Sequence, residues 1–108
     1  MSAHYTEQQP SRADMDALGG AAVVIFGTDW CGYCRAAERF IEPALAAHPE
    51  VRVIRAEDGK GRPLGRSYRV KLWPTLIFLR DGAEVAREVR PTRRAPLDEA
   101  LDAITADR

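Results

Sequence analysis

The feature that most constrains the fold is a pair of cysteines, Cys31 and Cys34, placed between an apolar run and a helical pattern. The run before them, residues 21–26, does not alternate between apolar and polar side chains, which is typical of a central parallel strand covered on both faces. After them, apolar side chains recur every three or four positions and predict an amphipathic helix over about residues 31–48. The cysteines are therefore expected where a strand leads into the N-terminus of a helix.

That position predicts redox chemistry for the two thiols. Unpaired backbone amides and the helix dipole favour negative charge in the first turn, so Cys31 is expected to be an exposed thiolate that attacks disulfides. Cys34, one turn further on, is placed to resolve a mixed disulfide formed on Cys31. Helical neighbours three apart have Cβ atoms about 5–6 Å apart and a disulfide needs about 4 Å, so the first turn must tighten. Gly32 makes this adjustment easier.

Composition bounds the domain count and the partners. A chain of 108 residues, 45% of them hydrophobic, can bury one modest core, so we expect one domain. The 16 Lys and Arg balance the 16 Asp and Glu, and no basic block is longer than Arg93-Arg94, so nucleic acid is not an expected partner. Residues 1–10 are polar, and no apolar stretch is long enough for a membrane span, which predicts a cytoplasmic protein. In the cytoplasm, one close cysteine pair is expected to be catalytic or metal-binding rather than structural.

The first half of the chain predicts a βαβ unit. Residues 1–10 are expected to form a flexible N-terminal arm, in which Tyr5 is placed to add a short edge strand, and residues 11–108 to form the domain. Ser11 and Asp14 resemble a capping box that opens a short helix ending at Gly19-Gly20. Residues 51–56 predict a second strand, parallel to the first and reached by a right-handed crossover through the long helix. Pro43 is expected to kink that helix.

The second half predicts a hairpin followed by a helix. Residues 63–68 can form at most a short helix, and Asp81-Gly82 is a turn signal that pairs residues 75–80 with residues 85–89 in antiparallel fashion. A buried stripe at helical spacing marks the last helix, with Pro96 in its first turn. The stripe consists of Leu97, Ala100, Leu101 and Ile104. The fold class is therefore α/β, a mixed central sheet of four or five strands with helices on both faces.

These residues resemble the thioredoxin family. The resemblance is carried by Trp30-Cys31-Gly32-x-Cys34, by Pro74-Thr75 about forty residues later and by the Asp81-Gly82 turn, and it covers about residues 21–104. It implies the thioredoxin fold, a cis peptide between Trp73 and Pro74 that faces the dithiol, and a groove that holds substrate chain in extended pairing. The substrate-binding residues that it implies are Trp30, Gly32, Tyr33, Trp73, Pro74 and Thr75, although Trp73 would serve equally well as a core aromatic.

The resemblance also implies the activity. It implies a thiol–disulfide oxidoreductase that acts on protein disulfides, foremost as a reductase, with Cys31 and Cys34 as catalytic residues. No cofactor or metal is expected. Its partners would be proteins with disulfides and an electron donor, either a thioredoxin-reductase-like enzyme or a small thiol, and the protein would be a monomer.

Four departures from the family pattern limit the inference. Ile25 stands where thioredoxins usually carry a buried aspartate that helps to move the proton of the second cysteine, so Cys34 is expected to deprotonate with difficulty unless water, Glu57 or Asp58 substitutes. Tyr33 stands where thioredoxins have proline. The dipeptide Gly32-Tyr33 between the cysteines resembles that of bacterial disulfide isomerases, which indicates a less reducing pair. Arg90 replaces a glycine of the substrate-binding rim. Pro43 comes about one turn later than the helix proline of thioredoxins.

The sequence leaves four alternatives to the reductase open, one of them an iron–sulfur cluster shared between two chains, which has no positive support. A glutaredoxin-like enzyme that uses glutathione also commonly has tyrosine before the second cysteine, but Trp30 and the long strand at residues 76–79 disfavour it. A non-catalytic thioredoxin scaffold that binds or chaperones another protein is compatible with Ile25 and with Arg90. A closed zinc site needs four ligands, and the only further candidates, His4 and His48, lie in the arm and at a helix end.

Overall fold

A hydrophobic strand, β1 (Ala21–Gly27), occupies the interior of the sheet in the computed structural model, which describes residues 4–106. Every residue of β1 after Ala21 is buried. On one side it pairs in parallel with β2 (Arg52–Glu57), and on the other it pairs antiparallel with β3 (Thr75–Arg80). The unalternating apolar run in the sequence is explained by this position, since both faces of β1 are covered.

A tight hairpin joins β3 to the edge strand β4 (Ala83–Val89). Both central residues of its turn have positive φ, 51° at Asp81 and 81° at Gly82, the conformation that matches the twist of hairpin strands. The sheet order is β2-β1-β3-β4, so the predicted mixed sheet is confirmed with four strands. β4 begins two residues before the predicted 85–89, directly after the turn.

Helices cover both faces of the sheet, as predicted. In chain order they are α1 (Arg12–Asp16), α2 (Gly32–Ala46), α3 (Pro63–Ser67) and α4 (Ala95–Thr105). The apolar sides of α2 and α4 pack on Val23, Ile25 and Phe78, whereas α1 and α3 pack on Val24, Phe26 and Ile77. We call these the α2/α4 face and the α1/α3 face. None of the described helices has both the length and the apolar character to cross a membrane.

The helix bounds differ from the predicted ones where capping decides them. The Ser11–Asp14 capping box is confirmed, but α1 ends at Asp16 rather than at the glycines. α2 begins one residue after Cys31, because Cys31 is its N-cap, and ends at Ala46 instead of His48. Pro43 lies inside α2, and the kink expected there stays a prediction.

The N-terminal arm is joined to the sheet at one position. Thr6 forms an isolated parallel bridge with Ala56 of β2, which reduces the predicted edge strand to a single pair. Tyr5 is buried, with 4% of its surface exposed. Residues 1–3 of the predicted arm and 107–108 of the predicted domain lie outside the described residues, and the flexibility of the arm stays a prediction.

Candidate active site

The first cysteine caps the helix that follows it. Cys31 is the N-cap of α2, and its Sγ accepts a hydrogen bond from the backbone N–H of Cys34 over 3.3 Å. The prediction that this residue is exposed is wrong, because Cys31 is only 7% exposed and belongs to the core cluster of the α2/α4 face. Its sulfur turns back over the helix end, where it accepts the amide hydrogen bond that caps the first turn.

The second cysteine is enclosed in the first turn of the same helix. Cys34 is 1% exposed, and both thiols are free. Burial raises the pKa of Cys34 well above its ordinary value, and its hydrogen bond with Cys31 raises the pKa further; a backbone hydrogen bond at Thr28 and the Tyr5 hydroxyl lower it to a smaller extent. Cys34 is therefore held as the thiol, which agrees with the expected difficulty of its deprotonation.

Both carboxylates that could substitute for the one missing at Ile25, Glu57 and Asp58, have other hydrogen-bond partners. Ile25 is fully buried in the same cluster as Cys34. The two substitutes considered from the sequence are engaged elsewhere: Glu57 Oε2 accepts from Arg62 Nε over 2.8 Å, and Asp58 Oδ2 accepts from the Trp73 indole N–H over 2.9 Å. Asp58 thus orients an aromatic side chain, and it is not among the groups that shift the pKa of Cys34.

The loop before β3 has the conformation that the resemblance implied. The Trp73–Pro74 peptide bond is cis, as predicted. Trp73 packs edge-on against Trp30, with ring centroids 5.8 Å apart, so the loop and the cysteine motif meet. Trp73 is only half-buried, whereas Thr75 is 1% exposed and its hydroxyl donates to the Leu72 carbonyl over 2.6 Å. Any role of Thr75 in binding therefore falls to its backbone.

A second contact joins the cysteine motif to this loop. Arg90 has a φ of 49°, which explains why glycine suits the position in the family pattern, and its guanidinium lies 3.7 Å from the ring centroid of Tyr33. Its Nε donates to the Trp73 carbonyl over 2.8 Å, and its backbone N–H donates to the Pro74 carbonyl over 2.9 Å. Trp30 and Tyr33 remain 71% and 61% exposed beside it, with Gly32 exposed between them. We call the surface that these residues border the rim. It consists of Trp30, Gly32, Tyr33, Trp73, Pro74 and Arg90.

The N-terminal arm reaches the site as well, a contact that the sequence analysis did not predict. Asp29 accepts from the Tyr5 backbone N–H over 2.8 Å, and its other carboxylate oxygen lies 2.8 Å from His4 Nδ1. The Tyr5 ring thereby enters the core cluster that contains Cys34. The one signal available was the single aromatic residue in an otherwise polar segment.

The candidate zinc ligands do not come together. His4 pairs with Asp29, whereas His48 lies at the other end of α2 between the Ala44 carbonyl and Asp102. Within residues 4–106, no three His, Cys, Asp or Glu side chains cluster in a way that could hold a metal ion.

Comparison with known proteins identifies the family. The family model named Thioredoxin matches residues 7–103, and the thioredoxin of Chlamydia trachomatis is 36% identical over 76 residues, which cover 68% of this chain and 74% of that protein. The chain belongs to the thioredoxin family. Among solved structures it is similar to thioredoxin 2 from Pseudomonas aeruginosa PAO1 in its reduced form, with 49% identity, 96% of each chain covered and a TM-score of 0.85. Trxlp from Edwardsiella tarda is 29% identical, with 87% and 90% of the chains covered and a TM-score of 0.69.

Family membership and the Cys31–Cys34 pair establish the activity. The protein is a thiol–disulfide oxidoreductase, a protein-disulfide reductase of the thioredoxin family. Its substrates are proteins with disulfides, and a reductase supplies its electrons.

Proposed function

We propose that Cys31 is the attacking thiolate and Cys34 the resolving thiol of the reductase. In the first step, Cys31 Sγ attacks a substrate disulfide; a Cys31–substrate disulfide forms, the substrate S–S bond breaks, and the leaving sulfur takes a proton from solvent. The observation that supports this assignment is the hydrogen bond from the Cys34 N–H to Cys31 Sγ, which stabilises charge on Cys31 and none on Cys34.

The second step releases the substrate. Cys34 loses its proton to solvent and attacks Cys31 Sγ; the Cys31–Cys34 disulfide forms, and the second substrate sulfur leaves with the electron pair and is protonated. The substrate has gained two electrons and two protons, and the dithiol has lost them. Because Cys34 is held as the thiol, we expect this step to limit turnover at neutral pH.

The rim is the proposed binding site for the substrate chain. Trp30, Gly32 and Tyr33 offer exposed surface next to the attacking sulfur, while Trp73 and the cis Pro74 form the opposite side. Thr75 contributes backbone, since its side chain is bound to Leu72. Arg90 Nε already donates to the Trp73 carbonyl, so a substrate backbone N–H that bonds there competes with Arg90 for that oxygen.

Insulin reduction tests the catalytic assignment. Wild type should reduce insulin disulfides with dithiothreitol as donor, and the redox potential, followed by tryptophan fluorescence in defined thiol buffers, should lie near roughly −270 mV. A potential between roughly −120 and −180 mV would contradict a reductase and indicate an oxidant or isomerase. Insulin reduction that survives Cys31→Ser would overturn the assignment of the nucleophile.

The physiological setting is also part of the proposal. We propose a cytoplasmic monomer that is recycled by a thioredoxin-reductase-like enzyme or by a small thiol. A pair of free thiols without further cysteines suits a reducing compartment. Cell fractionation and sedimentation equilibrium test this setting, and recovery in an oxidising compartment or a stable dimer would contradict it.

A further inference from the structure

We propose that the Tyr5 hydroxyl is the hydrogen-bond donor that stabilises the thiolate of Cys34 in the resolving step, in place of the carboxylate that is absent at Ile25. The inference rests on the proposed roles of Cys31 and Cys34. Tyr5 is then a positioning residue for the Cys34 thiol. It belongs to the N-terminal arm and not to β1 or α2, the two elements that place the cysteines.

Gly27, at the end of β1, leaves the space in which the two side chains meet. A Cβ placed on Gly27 would lie 2.5 Å from Cys34 Sγ, 3.0 Å from Tyr5 Cζ and 3.1 Å from Tyr5 Cε1. The hydroxyl-bearing end of the Tyr5 ring therefore flanks the same point as the sulfur. Any side chain larger than hydrogen at position 27 would separate them, so glycine here permits the approach of Tyr5 to Cys34.

The hydroxyl itself is available. Tyr5 is 4% exposed, and among the described residues its hydroxyl oxygen has no satisfactory hydrogen-bond partner in the dithiol state. An unpaired buried donor is unfavourable, and a neutral thiol is only a weak acceptor. When Cys34 ionises, its sulfur becomes a charged acceptor beside this donor, so the hydrogen bond gains most in the state that attacks Cys31.

The surrounding charges favour a donor over a base. Burial raises the pKa of the Tyr5 phenol well above its ordinary value, so it remains protonated. Arg55 lies 5.9 Å from the Tyr5 ring centroid and forms a two-bond pair with Glu38, with Nη1–Oε2 and Nη2–Oε1 distances of 2.6 and 3.1 Å. Cys31, Glu38, Arg55 and Asp29 are the charged and titratable groups around Tyr5 and Cys34. Glu38 is held by Arg55 and Asp29 by the arm backbone, whereas the Tyr5 phenol is an unpaired donor whose ring end lies beside the sulfur.

A chromophoric mixed disulfide isolates the step. Ellman's reagent, the symmetrical disulfide of 5-thio-2-nitrobenzoate, should release one equivalent of coloured thiolate when Cys31 attacks and a second when Cys34 resolves the adduct. In Tyr5→Phe the first release should be little changed. The second should be about three- to fourfold slower at neutral pH, with its pH midpoint raised by about one unit, because lost thiolate exceeds gained nucleophilicity.

The matched control is Tyr68→Phe. Tyr68 is 3% exposed, and its hydroxyl also lacks a partner among the described residues, but it lies on the α1/α3 face. Its substitution should leave both releases unchanged. Equal second-release rates and pH midpoints in wild type and Tyr5→Phe would overturn the role of Tyr5 but not the roles of the cysteines. If Cys31 formed no adduct at all, both the proposed function and the role of Tyr5 would be overturned.

Discussion

The two faces of the sheet each bury a tyrosine with an unpaired hydroxyl, and the two have different neighbours. On the α2/α4 face, Tyr5 lies beside Cys34 Sγ and is brought there by the arm. On the α1/α3 face, Tyr68 packs 5.8 Å from Phe26, with the Arg12 guanidinium 3.8 Å from its ring centroid. The same type of side chain therefore serves packing on the α1/α3 face and, by our proposal, stabilises a thiolate on the α2/α4 face. The comparison shows that burial alone does not mark a functional group; the atom that it faces does.

The largest effect on activity is expected from the two cysteines, which both lie on the α2/α4 face. Cys31→Ser should reduce insulin reduction to the uncatalysed background, since serine does not ionise at neutral pH. Cys34→Ser should still form the mixed disulfide but should not resolve it, so covalent adducts should accumulate and be visible by mass spectrometry. Multiple turnover by Cys34→Ser without added thiol would contradict the two-step scheme.

A carboxylate introduced into either face should lower the unfolding free energy, but only on the α2/α4 face should it also speed resolution. Ile25→Asp should restore a general base near Cys34 and speed resolution at neutral pH by roughly tenfold or more, because the carboxylate can take the thiol proton as Cys34 attacks. The buried carboxyl should cost about 3 kcal/mol of unfolding free energy. Val24→Asp, on the α1/α3 face, should cost a similar amount without speeding resolution.

Stopped-flow resolution of the coloured adduct and urea unfolding measure the two effects. Ile25→Asn is the control that adds polarity at position 25 without a charge. An unchanged resolution rate in Ile25→Asp would show that proton removal from Cys34 does not limit the step.

Substrate binding at the rim should depend on the side chain of Arg90 and not merely on the strain of its backbone. Arg90→Gly removes the guanidinium from the Trp73 carbonyl and should lower KM for insulin, by roughly tenfold if the freed carbonyl gains a hydrogen bond of about 1.4 kcal/mol to the substrate backbone. Relief of positive φ should add about 1 kcal/mol of stability, which the loss of stacking on Tyr33 offsets by a similar amount.

Arg69→Gly provides the matched control for the backbone effect. Arg69 has a φ of 59° and follows α3, so its replacement should raise the unfolding free energy by about 1 kcal/mol with no change in KM. An equal effect of both variants on KM would mean that Arg90 does not cover the binding surface.

The smallest expected effect lies at the end of α2 opposite to the cysteines. The Ala44 carbonyl, at 2.8 Å, and the Asp102 carboxylate, at 2.9 Å, raise the pKa of His48 above 6.5. Since the folded pKa is the higher one, the stabilisation is fully present below the unfolded pKa and is lost as the pH rises through the folded value. We expect about 1 kcal/mol.

Urea unfolding of wild type and His48→Gln at pH 5.5 and pH 8 measures this contribution. The difference between the two proteins should be larger at pH 5.5 and should shrink toward pH 8. A gap that is the same at both pH values would show that the charge on His48 contributes nothing to folding.

Much of the fold followed from local patterns. The βαβ unit, the hairpin at Asp81-Gly82 and the helix that Cys31 opens are encoded by periodicity, turn chemistry and capping over short stretches. The cis peptide at Pro74 came from the resemblance alone, since no propensity requires it. The burial of Cys31 was missed because position within a helix does not reveal how far its sulfur turns toward the helix end.

The unpredicted part of the site consists of contacts between distant residues. Asp58 binds Trp73, Arg90 stacks on Tyr33, and Tyr5 approaches Cys34 across 29 positions of sequence. Each uses a polar or aromatic side chain that is equally at home on a solvated surface, so neither periodicity nor spacing distinguishes it. Only the packing of the α2/α4 face decides which of them approach the dithiol.

The attachment of the arm has a consequence for how solvent reaches the interior. The arm is held by backbone bonds of Tyr5 to Asp29 and of Thr6 to Arg55 and Glu57, which close loops of 24, 49 and 51 positions. Releasing it breaks these bonds without opening the sheet, so it requires less free energy than global unfolding. Hydrogen exchange should therefore report early loss of protection at Thr6 and Glu57. Each such excursion should withdraw the phenol and admit water behind Cys34, so that a sulfur only 1% exposed in the closed arrangement becomes intermittently hydrated.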